Sequence, residues 1–155
     1  MLLPRGVTGF WGHREQAPTA TDGAAFRGHC HEAARRAGGR VLAVTRSDSG
    51  GPVRNFAVGL LSLPAGEVAV VLNAHHPLVA FADPPTPGEG ALRFRDCPLL
   101  AEVFRSFGVY EVLAVAELER PPYPTALGAL SKAERKQVAS WKPARLGDVA
   151  YNWWD

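Results

Sequence analysis

The sequence predicts an α+β fold, with helices packed on an antiparallel sheet of about five strands, and three observations carry this. Four short apolar runs lie between residues 40 and 82 with only turn-length connectors between them. Two segments, 24–37 and 98–107, space their apolar residues as one face of a helix does. At 155 residues, with 46% hydrophobic and 21% charged positions, the chain suits one domain, 1–155, with a substantial core.

Residues 1–21 show neither helical nor strand period and read as an ordered arm followed by a loop. Asp22 then offers a side-chain oxygen for a helix N-cap, and Phe26, Cys30, Ala33 and Ala37 recur along one face until Gly38-Gly39 stops the helix. RVLAVTR at 40–46, VRNFAVGLLSL at 53–63, EVAVVLN at 67–73 and LVAFA at 78–82 read as strands separated by turn-forming residues. Connectors this short imply antiparallel neighbours, because a parallel crossover needs a dozen residues or more. The third run is apolar on both faces, which places it centrally. DPPTPGEG at 83–90 is too rich in proline and glycine to extend a sheet and reads as an exposed loop.

Pro98 opens the second helix, whose face is Leu100, Val103, Phe104 and Phe107, and Gly108 ends it. YEVLAVAEL at 110–118 reads as the fifth strand. Ser131 and Glu134 have capping-box spacing at the head of a helix that runs toward Trp141 and closes at Pro143. Leu146, Val149 and Trp153 repeat at helical intervals, which predicts a short C-terminal helix with Trp153 inward and Trp154 exposed.

The formal net charge is +2, from 17 basic and 15 acidic residues spread along the chain, so no basic tail or stripe points to nucleic acid. No apolar run is long enough for a membrane span and no secretory leader pattern opens the chain, which predicts a cytoplasmic protein without membrane contact. Cys30 and Cys97 read as free thiols. P-loop, GxGxxG, GxSxG, HExxH and CxxC patterns are missing from the sequence, so no cofactor and no metal is expected.

Successive residues of His29-Cys30-His31 point about 100° apart on a helix, so they cannot all ligate one ion, and the two histidines read as polar surface. The better catalytic candidates are His75 and His76, in Asn73-Ala74-His75-His76-Pro77 between two strands. A corner aims side chains outward, and imidazole transfers protons near neutral pH. No nearby spacing supplies a carboxylate to orient either ring. Aromatic area gathers at the termini in Trp11, Trp141, Tyr151, Trp153 and Trp154. Trp154, Tyr151 and Trp11 are the candidate binding residues, because tryptophan and tyrosine are enriched among interface hot spots.

LPRGVTGF at 3–10, NAHHPLVAF at 73–81 and WKPARLGDVAYNWWD at 141–155 together resemble segments of a group of small uncharacterised bacterial proteins of similar size. The resemblance implies an independent domain and carries over no activity. Two function classes follow. The first is a non-enzymatic protein-binding domain that uses the aromatic C-terminus or the 83–90 loop, immunity-like in that it would neutralise a toxin domain. The second is a small hydrolase or lyase with His75 or His76 as general acid/base.

Overall fold

The computed structural model describes residues 1–47, 54–86, 88 and 90–154. The start of the second strand-like run at residue 53, most of the turn before it, and positions 87 and 89 of the proline-rich loop lie outside the described residues.

Helix α1 (Gly23–Arg36) begins where expected, with the Asp22 carboxylate accepting from the Ala25 amide at 3.0 Å, and it stops at Gly38, whose φ is +78°. Strands β1 (Arg40–Thr45), β2 (Phe56–Leu63), β3 (Gly66–Asn73) and β4 (Leu78–Ala82) form an antiparallel meander in sequence order. β3 is the middle strand and separates two cores by the period-two alternation of its side chains. Val68, Val70 and Leu72 face one side, and Ala69 and Val71 the other.

On the first side α1 and α2 (Pro98–Ser106) bury Phe26, Cys30, Leu100 and Phe104 against the sheet. The approach is close because Gly59 of β2 has no side chain; a Cβ there would stand 2.6 Å from the Cys30 sulfur. On the second side lie the N-terminal arm and four short helices: α3 (Val115–Leu118), α4 (Pro124–Leu127), α5 (Lys132–Trp141) and α6 (Leu146–Ala150). They bury Leu3, Val7, Leu118, Ala126, Leu146 and Val149 against Phe56, Val71 and Ala80. Each leucine or valine so buried contributes about 1.5–3 kcal/mol relative to exposure.

Two expectations are corrected. The run 110–118 is not one strand: β5 (Glu111–Val112) pairs with β4 at two positions, and the chain then turns into α3. The Asp96 carboxylate accepts from the Val115 amide at 3.1 Å, and Leu118 is turned fully into the core, so tertiary partners override the β-branched propensity of the run. β5 is also parallel to β4, whereas antiparallel pairing was expected throughout. The short-connector argument covers β1 to β4 only, since β4 reaches β5 through a crossover that contains α2. Among the described residues no helix is long and apolar enough to cross a membrane.

Candidate functional site

The three segments that carried the resemblance meet at one end of the sheet. Asn55, just before β2, and Asn73, the last residue of β3, are both buried, and each side-chain amide donates to the Val7 and Ala150 carbonyls at 2.7–3.1 Å. Asn152 completes the cluster: its amide nitrogen donates to the carbonyls of Thr8 and Val149, while its backbone N–H donates to the Asn55 side chain. The arm, the sheet end and the C-terminus are thus tied through side chains with both donors and acceptors to offer.

Asn73 also sets the corner that follows, its side-chain oxygen accepting from the amides of His75 and His76 at 2.9 and 3.0 Å. Both imidazoles are half-buried and line a cleft of about 320 Å³ with Arg5, Trp11, Glu15 and Glu134. His75 Nδ1 lies 3.2 Å from the Thr19 carbonyl and His76 Nε2 lies 2.7 Å from the Arg5 carbonyl. A carbonyl only accepts, so those nitrogens carry the protons. Burial pushes the His75 pKa below its ordinary value, which favours the neutral ring. The arm passes close at Gly6 and Gly9, both at positive φ, and a Cβ on Gly9 would reach 3.5 Å from His75 Nε2.

Glu134 is the residue that sequence reasoning undervalued. The capping box forms, with Ser131 Oγ accepting from the Glu134 amide at 3.2 Å and the carboxylate accepting from the Ser131 amide at 3.1 Å. The same carboxylate, fully buried, also accepts from the Gly6 amide at 2.8 Å, the Thr8 amide at 3.1 Å and the Thr8 hydroxyl at 2.6 Å. Four donors and no acceptor surround it, the set an ionised carboxylate takes. The capping spacing located this residue; nothing local could show that its oxygens would also hold an arm more than a hundred positions away.

The aromatic expectations divide. Trp11 is 48% exposed and lines the cleft. Tyr151 and Trp154 are buried, which corrects their reading as surface groups. The Tyr151 hydroxyl donates to the Leu78 carbonyl at 2.8 Å, and burial holds its pKa well above the usual range. Helix α6 ends at Ala150, so helical register does not reach Trp153, which is half-buried with its ring edge-on to Phe56 at 5.1 Å. Trp141, 44% exposed, stacks on Trp154 at 6.1 Å, and Trp154 in turn meets Phe10 at 6.4 Å. A second hollow, about 390 Å³, lies beside the first, sharing Phe10 and His75 with it and lined further by Arg54, Asn152 and Trp154.

The remaining candidates lie elsewhere. His29 stacks on Phe107 at 4.3 Å, with Nδ1 2.6 Å from the Tyr110 hydroxyl, and helps dock α1 on the chain after α2; His31 is exposed. Cys30 is buried and its thiol is pushed up to about 12 by burial, while Cys97 is half-buried; both are free. Among the described residues no three His, Cys, Asp or Glu side chains gather to hold a metal ion. No family model, curated protein or solved structure matches the chain.

Proposed function

We propose that the chain is a non-enzymatic protein-binding domain whose contact surface is the sheet end where the arm, the His75-His76 corner and α5 meet. The observation that carries this reading is the pair of exposed tryptophans, Trp11 lining the cleft and Trp141 stacked on the buried Trp154. Large aromatic area held in place before contact loses little entropy on binding, which suits an interface anchor. The cleft's own polar groups favour binding over chemistry. Both Glu134 oxygens are consumed by four donors, and each histidine uses one ring nitrogen to hold a backbone carbonyl. Immunity-like capture of a toxin domain is one form such binding takes.

A photo-crosslinking amino acid placed at Trp11 or Trp141 should yield one defined adduct in cells that express the protein. The same group at Leu99 or Val109, exposed on or beside α2, should not. With the partner in hand, Trp11→Ala and Trp141→Ala should each weaken binding by about 2 kcal/mol or more. Equal adducts from all four sites would refute the reading.

A second reading, a small hydrolase or lyase, is favoured by one observation: His75, His76 and a carboxylate line the same cleft. Under it, His75→Ala or His76→Ala abolishes the cellular phenotype with the fold intact. Retention of the phenotype by both variants rejects it.

A further inference from the structure

We infer that the hollow of about 390 Å³ beside the histidine cleft is a binding site for a small aromatic carboxylate, a property separate from the protein-binding role proposed above. Among the described residues two basic side chains, Arg54 and Arg145, are half-buried, and every other lysine and arginine is exposed. Arg145 is paired with Glu119 and Asp148 at 2.8 and 2.6 Å, as a cation drawn out of water requires. Arg54, which lines the hollow, has no carboxylate partner among the described residues. Burial accordingly pulls its pKa below the ordinary value.

The guanidinium is fixed before any ligand arrives. Its Nη2 donates to the Thr45 and Arg46 carbonyls at 3.2 Å each, and its central carbon lies 5.4 Å from the Phe56 ring centre and 5.8 Å from that of Trp153. These contacts occupy one nitrogen and leave the N–H groups of Nε and Nη1 to donate to an anion. Both remain accessible, since Trp153 Nε1 is the one side-chain polar atom among the described residues that is sealed from water without a partner. The rest of the lining suits a ring that carries a carboxylate. No described Asp or Glu borders this hollow, whereas Glu15 and Glu134 border the first cleft. His75, its pKa lowered by burial, adds no opposing charge, and Ser47 adds a hydroxyl. Phe10 and Trp154, with ring centres 6.4 Å apart and planes tilted by 42°, supply aromatic wall for edge-on or offset contact. A cavity of about 150 Å³ accommodates benzene, so this hollow has room for a ring and its acidic arm. A few polar groups converging on an apolar hollow of this size are the usual make-up of a small-molecule site.

The test titrates the full chain with phenylacetate, and in parallel with phenylacetamide, acetate and inorganic phosphate, while NMR follows the side-chain amide of Asn152 and the indole of Trp154, both in the wall of the hollow. Phenylacetate should shift both signals and saturate by about 10 mM, while signals from α1, across the sheet, stay in place. Phenylacetamide, which lacks the charge, and acetate, which lacks the ring, should each bind at least about tenfold more weakly. Arg54→Gln should lower phenylacetate affinity at least about tenfold, and Arg46→Gln, at an exposed arginine outside the hollow, less than about twofold. Arg54→Gln also removes the ties to the end of β1, so a second variant keeps loss of binding apart from loss of fold. Ala20→Phe, at an exposed position in the wall, should fill the space and abolish binding with the melting temperature unchanged. No shift with phenylacetate, equal binding of phenylacetamide, tighter binding of phosphate, or native affinity in Arg54→Gln or Ala20→Phe would overturn the inference.

Discussion

Truncating Glu134 should unlock the N-terminal arm, and the cost can be worked from its four bonds. Glu134→Ala leaves the amides of Gly6, Thr8 and Ser131 and the Thr8 hydroxyl without the acceptor they now share. The hydroxyl can rotate to another partner, and water from the adjoining cleft can reach part of the vacated space, so about two fully orphaned donors remain. At about 1–3 kcal/mol each, the variant should lose about 2–6 kcal/mol, a large part of a typical domain's stability. Glu134→Gln keeps one carbonyl oxygen but turns an NH₂ toward backbone donors, for about 2 kcal/mol. Ser131→Ala removes only the bond from the Glu134 amide, for about 1 kcal/mol. Urea unfolding followed by tryptophan fluorescence checks the series, with the midpoint falling in the order Ser131→Ala, Glu134→Gln, Glu134→Ala at constant m. Glu134→Ala within about 1 kcal/mol of the native chain would refute the claim that this carboxylate anchors the arm.

Two further outcomes are expected. Trp154→Ala should cost about 3–5 kcal/mol because the ring is only 8% exposed, whereas Trp153→Ala, at a half-buried ring, should cost about 1–3 kcal/mol; reversed values would restore the helical register that the sequence suggests. The alkaline limb should reflect Cys30 and Tyr110, whose folded pKa values are both pushed up to about 12 by burial. Since the unfolded thiol ionises near its ordinary value of 9.0 and the folded one does not, stability is intact below about pH 9 and falls as pH rises toward 12. Thermal midpoints measured from pH 7 to 11 check this, and a flat profile for the native chain would contradict it.

Much of the frame was legible because it depends on local chemistry. Asp22, Gly38, Pro98, Gly108 and the Ser131/Glu134 pair act on backbone groups within a few residues, so the ends of α1, α2 and α5 could be read directly. The apolar alternation of β3 likewise records that both of its faces are covered. The candidate site was legible in part: the corner before Pro77 placed His75 and His76 on an accessible cleft, and Trp11 is exposed.

The rest depended on partners distant in sequence. Val115 turns into a helix because Asp96 is there to accept its amide, and a β-branched run carries no trace of that encounter. Trp154 is buried and Trp153 half-buried because the chain leaves α6 after Ala150 and is held by Asn55, so helical periodicity no longer governs which ring faces inward. By itself the sequence determined where α1, α2 and α5 start and stop and which strand is central, since those signals act over one or two turns of chain. Only the tertiary structure decided that Glu134 and three asparagines would bind the arm, the corner and the C-terminus together, because a buried polar group must find its partner wherever in the chain that partner lies.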